Sequence, residues 1–383
     1  MNKEEFYKKN KSYCNMAFNE IYTDSSGNYK LCCHAYAHEP FKKYNSSHTP
    51  PFKFFFSPEM EEIRNKMMSG EKIKACKPCY KLEETTGESY RNKKYSKKYD
   101  FNNNNRNIGL KLRINGSFCN LGCYMCHPYN SSTRRKEMKS VFGSSYWDSF
   151  EFPKKTERAI KHKDWNDNIE DVLNNIDSIL HMHLTGGEPL QLPKHWQMLD
   201  LIPDEHAKYI TLSYDTNLTE LTYKNKSIFD YVNKFKQIRL GVSCDHFKEK
   251  EEWIRYPIDI KKFESNLREA KSIITSINCT VSLLNIFDLL EIKKYYEENF
   301  DIKVMFPSLV QHPHFLSIRN LDQKDKDALL KKYEKIDDNP FGTTIIKNEL
   351  LLPATHKLDV MRNYCDSLSK RRNFNWRAIW NEF

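Results

Sequence analysis

The sequence contains no run of about 18 apolar residues, so a membrane-spanning helix is not expected. Its start, MNKEEFYKKN, has no apolar core of the kind a secretory signal needs, which points to a cytoplasmic chain with no membrane partner. No P-loop and no Ser–His–Asp arrangement can be read, and no solenoid-type repeat is present. A disulfide framework is also missing: eleven cysteines, an odd number, in 383 residues is not the pattern of a stapled secreted scaffold. The formal net charge of +10 is compatible with an anionic partner such as nucleic acid, a nucleotide or an acidic peptide. No Arg-rich helix focuses that charge, however, and lysine is spread along the whole chain.

What is there is a globular composition, 39% hydrophobic and 13% aromatic, long enough for one large domain or two moderate ones. The cysteines cluster. Eight of the eleven lie at or before residue 126, at short spacings that suggest metal. Residues 1–92 hold five of them. AFNEIYTD and NYKLCC read as β-like runs about a Ser25-Ser26-Gly27 turn. SPEMEEIRNKMMSG reads as a helix with Ser57 as cap, Pro58 in the first turn and Gly70 as stop. Residues 93–107 are polar and low in complexity and read as a linker.

From residue 108 short apolar runs alternate with helical stretches. IGLKLRI (108–114), SILHMHLT (178–185), YITLSYDTN (209–217), QIRLGVSCD (237–245), NCTVSLLN (278–285) and KVMF (303–306) read as strands. DWNDNIEDVLNNI and DIKKFESNLREAKSIITS read as two of the intervening helices. Six such units predict an α/β fold with parallel strands, as a partial (β/α)6 barrel over 108–310, its function collected at the strands' carboxyl ends. Residues 311–383 read as a helical extension. LDVMRNYCDSL places Leu358, Met361, Cys365 and Leu368 on one face, and NWRAIWNEF does the same with Trp376, Ile379, Trp380 and Phe383.

Directly after the first barrel strand comes Cys119-Asn-Leu-Gly-Cys123-Tyr-Met-Cys126. Three thiolates within eight residues can each reach a different iron of one cubane, leaving the fourth iron open. On spacing alone, a zinc site completed by His127 or a distant residue is the alternative. The second strand ends in Thr185-Gly186-Gly187-Glu188-Pro189. Two glycines allow close backbone approach to a ligand, and a carboxylate can accept from an ammonium group.

The CX3CX2C loop on strand one, GGEP on strand two and the six β–α units together resemble the radical S-adenosylmethionine (SAM) superfamily, over about residues 108–310. The resemblance implies a [4Fe–4S] cluster on Cys119, Cys123 and Cys126 whose open iron chelates SAM. It implies electrons from an external reductant of flavodoxin or ferredoxin type, and cleavage of SAM to a 5′-deoxyadenosyl radical that abstracts hydrogen from substrate. By position, Gly186, Gly187, Glu188 and Pro189 would hold the SAM amino group. Asn217 would make a further polar contact, Ser243 and Asp245 would bond the ribose, and Arg255 would reach the carboxylate. The family has an aromatic residue before the third cysteine. Here Met125 stands there, a thioether able to pack on adenine, with Tyr124 one place earlier.

Cys14, Cys32-Cys33 and Cys76-Lys77-Pro78-Cys79 form a second constellation. A zinc knuckle and an iron–sulfur cluster both fit four thiolates. Together with Glu83, Glu84, Gly87, Ser89, Tyr90 and Arg91, this segment resembles the twitch or SPASM-type auxiliary domains of radical SAM enzymes, although those usually follow the barrel. The resemblance implies a second [4Fe–4S] cluster on Cys14, Cys32, Cys76 and Cys79. Cys33 is the alternative to Cys32, since adjacent strand residues face opposite ways. Cys244, Cys279 and Cys365 read as core. His181 and His183 share one strand face, and His312 and His314 receive no role. The substrate is expected to be anionic, as a nucleotide, nucleic acid or peptide. A sugar-like alcohol to be dehydrogenated is the alternative within the class, and a non-catalytic zinc-stabilised binding protein the alternative outside it.

Overall fold

The structure is a computed structural model that describes residues 10–24, 26–87, 89–94, 108–113, 117–144, 166–310, 312–333 and 340–380. Most of the expected linker, from residue 95 to 107, lies outside the described residues, as do Ser25, Ile114 and Phe383. The chain forms two compact units. The first draws on residues within 1–116, 156–214 and 223–238, and the second on residues within 117–155, 215–222 and 239–383.

The first unit is built on strands β1 (Glu20–Thr23), β2 (Tyr29–Lys30), β3 (Ile108–Leu112), β4 (Ile179–Leu184) and the first four residues of β5 (Thr211–Thr216), in the order β5-β4-β3-β1-β2. β3, β4 and β5 run parallel, as the β–α alternation predicts. The hairpin forms too, with Tyr22 opposite Lys30 and Thr23 opposite Tyr29, but the second run is corrected to Tyr29–Lys30, with Cys32 and Cys33 in the bend and turn that follow. It does more than expected: β1 also pairs in parallel with β3, Glu20 opposite Gly109 and Tyr22 opposite Lys111. The strand is shorter than the β-like run, because Met16–Asn19 closes a helical turn in which the Phe18 and Asn19 amides donate to the Asn15 carbonyl. The helix Pro58–Met68 begins where Ser57 accepts from the Met60 amide, as predicted.

The second unit carries β6 (Gln237–Ser243), β7 (Ile274–Val281) and β8 (Val304–Leu309), parallel and in the order β8-β7-β6. β7 starts at Ile274, four residues before the predicted Asn278. The preceding helix stops at Glu269, and Lys271–Ile273 forms a single 3-10 turn. Ile274 and Thr275, read as helical, are β-branched and pass into the strand instead. At its far end the strand stops at Val281, because the Ser282 amide turns to the Asn285 side chain.

The helix Leu358–Arg372 buries Met361, Cys365 and Leu368 as expected, and Tyr364 and Arg372 with them, while Leu358 in its first turn is only half-buried. The second predicted C-terminal helix is corrected to one 3-10 turn, Trp376–Ala378. Asn373 in the left-handed region ends the long helix just before it, and Trp376 and Trp380 are buried without further helical repeat. Among the described residues no helix is long and apolar enough to cross a membrane.

Candidate active site

The three-cysteine loop belongs to the second unit. Cys119 and Cys123 are buried and Cys126 is half-buried. The helix Ser132–Phe142 anchors the loop at its start. Ser131 caps that helix and donates to the Leu121 carbonyl at 2.6 Å, and Thr133 Oγ1 donates to the Cys119 carbonyl at 2.7 Å. From the other side the Gly122 amide donates to Tyr256 O at 2.6 Å and the Tyr124 amide to Ile254 O at 2.9 Å. Gly122 sits closely: a Cβ there would lie 3.3 Å from Glu137 Oε2.

Two of the predicted SAM contacts touch this loop directly. Asn217 Nδ2 lies 3.8 Å from Cys119 Sγ and donates to Asn120 Oδ1 at 2.9 Å. Its own Oδ1 accepts from Thr219. Arg255 Nη1 lies 3.7 Å from Cys123 Sγ. Burial pushes the Cys123 thiol up to about 12, against the pull of Arg255. Arg255 also pairs with Asp245 Oδ2 at 2.7 Å and approaches Glu251 Oε1 at 3.3 Å. Asp245 Oδ1 accepts from the Thr280 amide. Burial raises Glu251 to about 8, opposed by Arg255 and reinforced by Asp245. Ser243 is half-buried at the end of β6, and Met125 is half-buried on the loop.

Sequence reasoning missed Asn120, Thr219 and Glu251. Glu251 is legible only as the residue one helical turn before Arg255, a weak signal. Cys244, Cys279 and Cys365 are fully buried: Cys244 Sγ bonds His246 O and Tyr296 Oη, and Cys365 packs on Met361.

GGEP belongs to the first unit. Gly186 has φ +91° and Gly187 φ +58°, and a Cβ on Gly186 would meet Arg113 Cγ at 3.0 Å. Only glycine suits that backbone. Glu188 is buried, and its Oε1 accepts from the Leu190 amide at 3.2 Å, capping the turn Pro189–Gln191. The sheet beneath has unlike faces. Ile21, Leu110, Leu112, Met182, Leu184, Leu212 and Tyr214 are buried on one. On the other a row runs Tyr22, Lys111, His183, Ser213 across β1, β3, β4 and β5. His181, two residues before His183, bonds Ser213 Oγ at 2.8 Å.

The five N-terminal cysteines also lie in the first unit, all as free thiols. Three cross-links gather their segments. The Tyr36 amide donates to the Ala75 carbonyl at 2.9 Å. Tyr80 Oη accepts from the Ile73 amide and lies 3.4 Å from the Ser12 carbonyl. Arg91, paired with Glu83, donates to the Tyr13 carbonyl at 2.8 Å. Cys14, Cys32, Cys76 and Cys79 are thereby close enough that each acts electrostatically on the other three. Burial, and then neighbouring thiols, push all but Cys79 up, Cys76 to about 12. Burial raises Cys79 as well, against hydrogen bonds from Arg91 and Ser89. Cys33 differs: besides Cys32, its charged neighbours are Lys111, Glu20 and Lys30.

Among the described residues, no three His, Cys, Asp or Glu side chains converge as a single metal ion requires. A cubane makes a different demand, since each thiolate takes its own iron. The Cys119–Cys126 loop supplies soft sulfur donors with amide and guanidinium groups beside them, and Asp245, a carboxylate that acts on Cys123, is engaged by Arg255. That donor set fits an iron–sulfur cluster.

No curated protein matches the chain. A solved structure described as native anSMEcpe with bound AdoMet and Cp18Cys peptide is similar at 20% identity and a TM-score of 0.35, over 58% of this chain; the chain spans 58% of that structure's length. The model of the Radical SAM superfamily matches residues 116–295, a stretch that holds all three loop cysteines, GGEP, Asn217, Asp245 and Arg255. That superfamily implies a [4Fe–4S] cluster, SAM and an external reductant. Residues 116–295, a little under half of the chain, are thus similar to the Radical SAM superfamily, whose members are enzymes.

Proposed function

We propose that this enzyme holds its catalytic [4Fe–4S] cluster on Cys119, Cys123 and Cys126 and a second, auxiliary cluster on Cys14, Cys32, Cys76 and Cys79 in a twitch-like N-terminal segment. The observation that carries the first assignment is the three-thiol loop itself, with Asn217 against one sulfur and Arg255 against another. For the second it is the mutual proximity of four thiols with Cys33 turned to other neighbours. With cluster and SAM bound, the chemistry supplied is one-electron cleavage of SAM to a radical that abstracts hydrogen from substrate.

The protein's own part is binding and orientation. Gly186 and Gly187 let backbone approach the cofactor, and Pro189 fixes the turn that Glu188 caps. Asn217 and Arg255 present N–H groups to the loop sulfurs, and Asp245 with Glu251 fixes the guanidinium. Ser243 and Met125 are half-buried positions that complete the proposed cofactor contacts, the ribose side and the adenine side respectively. Four protein thiolates on the auxiliary cluster leave no open iron for substrate, which favours an electron-transfer role.

The substrate is proposed to be polar, because Lys111, His181, His183 and Ser213 line one face of a parallel sheet, a fold whose faces are normally apolar. With the net charge of +10, an anionic nucleotide, nucleic acid or peptide fits better than an uncharged alcohol. Anaerobic reconstitution tests the class. A brown protein with about eight irons per chain, as two cubanes contain, and 5′-deoxyadenosine released from SAM under dithionite is the expected result. A colourless protein with stoichiometric zinc and no deoxyadenosine would overturn it in favour of a zinc-stabilised binding protein.

A further inference from the structure

The C-terminal helix Leu358–Arg372 reaches the cysteine loop within the second unit. Arg372 is buried. Its Nη2 donates to the Gly122 carbonyl at 2.6 Å, and its guanidinium pairs with Glu137 at 2.7 and 2.9 Å and donates to the Trp253 carbonyl. Tyr364 Oη donates to the Tyr124 carbonyl at 2.8 Å, and Arg134 Nη2 donates to the same oxygen at 2.8 Å. Gly122 and Tyr124 flank Cys123. Their amides are also held from outside, by Tyr256 O and Ile254 O.

A trans peptide is planar, so the C=O of one residue and the N–H of the next point in opposite directions. Holding the Gly122 carbonyl toward Arg372 therefore turns the Cys123 N–H away from it. Holding the Tyr124 carbonyl toward Arg134 and Tyr364 likewise turns the Met125 N–H away from them. Among the described residues neither the Cys123 nor the Met125 amide has a protein acceptor, whereas the intervening Tyr124 amide has one. The loop thus spends alternate N–H groups, those of Gly122 and Tyr124, on the protein and leaves those of Cys123 and Met125 directed away from Arg372, Arg134 and Tyr364. N–H groups that reach cluster sulfurs stabilise the more negative, reduced cluster and raise its potential.

We propose that Arg372 and Tyr364 are positioning residues for the catalytic cluster: they fix the peptide planes either side of Cys123 so that the Cys123 and Met125 amides face the sulfurs and set the reduction potential. This rests on the assignment of the cluster to Cys119, Cys123 and Cys126. The C-terminal extension thereby acts on the electron-accepting step through the backbone of the cysteine loop.

The test uses the full chain, reconstituted anaerobically, with the cluster potential read by redox titration of the paramagnetic signal that SAM perturbs. Arg372→Gln is expected to move the potential negative by about 59 mV or more, a tenfold loss in the reduction equilibrium. Arg372→Lys, which keeps one charged donor, is expected to recover part of it. Tyr364→Phe removes one of two donors to Tyr124 O and is expected to give a smaller negative shift. Ser369→Ala breaks the bond from the same helix to Trp253 Nε1, 3.0 Å, and is expected to leave the potential in place. If Arg372→Gln fails to fold, the near-isosteric Tyr364→Phe decides. Full iron content with an unmoved potential in Tyr364→Phe, and in Arg372→Gln where it folds, would overturn the proposal. Wild type that binds no cluster sensitive to SAM would instead overturn the cluster assignment beneath it.

Discussion

At Gly186 one carbon atom separates a working turn from a strained one. The backbone is left-handed, φ +91°, and a Cβ would sit 3.0–3.1 Å from three carbons of Arg113. Gly186→Ala is expected to cost about 1–3 kcal/mol through backbone strain, with crowding added, and to weaken SAM binding. Thermal unfolding and equilibrium dialysis against SAM would show it, and unchanged SAM affinity would count against the assignment of GGEP. His195 makes a different single-residue case. It is fully buried, 2.9 Å from Tyr214 Oη, and burial lowers it from 6.5 to about 3. Between those values the unfolded chain binds the proton and the folded one does not, so stability falls as pH drops from 6.5 toward 3. His195→Gln is expected to flatten the stability profile in that window by up to about 1.4 kcal/mol per pH unit. Denaturant titrations across the range measure the slope, and equal slopes in both proteins would refute it. Single residues were legible in the sequence where their meaning is local. CX3CX2C and GGEP are runs of neighbours, but Glu251 and Arg372 acquire their roles from contacts the chain closes only on folding, Arg372 with Gly122 across 250 positions.

At the scale of elements, the strands from β3 onward could be read because each apolar run is bounded by polar turns. β7 shows the limit: a β-branched stretch at the end of an amphipathic helix has no punctuation, and the boundary moved by four residues. The parallel pairing of β1 with β3 had no local signal at all, since nothing in a short strand names a partner about ninety residues away. The same pairing brings Lys111 near Cys33, the structural reason that two adjacent cysteines have different surroundings. Cys32 interacts with Cys14, Cys76 and Cys79, whereas Cys33, apart from Cys32, has Lys111, Lys30 and Glu20 as its charged neighbours. Cys32→Ser is therefore expected to lower reconstituted iron from about eight to about four per chain, while Cys33→Ser keeps about eight, for cubanes of four irons. Loss of iron from Cys33→Ser with retention in Cys32→Ser would reverse the ligand assignment. Neither substitution is expected to change deoxyadenosine release in the absence of substrate, because the loop cysteines belong to the other unit.

Across the whole molecule the seven proposed ligand thiols fall into two sets, four in the first compact unit and three in the second. Burial holds Cys76 and Cys123 up to about 12, so without a cluster these thiols stay protonated at neutral pH. A cluster binds only thiolates, and each thiol must release its proton as the site fills. The loaded protein then carries fewer protons than the empty one, and lowering the pH favours loss of iron from both sites. The steepness differs. A four-thiol site is expected to lose apparent affinity as about the fourth power of proton concentration, and a three-thiol site as about the third. Removing iron with a chelator at a series of pH values, following the two clusters by their separate spectroscopic signals, measures both slopes. The auxiliary signal is expected to disappear first as the medium is acidified from a common starting affinity. The catalytic signal is expected to gain resistance when SAM is present, since SAM occupies the iron that no thiol covers and binds only the assembled site. Iron retention independent of pH would mean that groups other than these thiols hold the metal. Equal slopes would mean that the two sites do not differ by one cysteine, and would remove the basis for leaving a catalytic iron open on the Cys119–Cys126 loop.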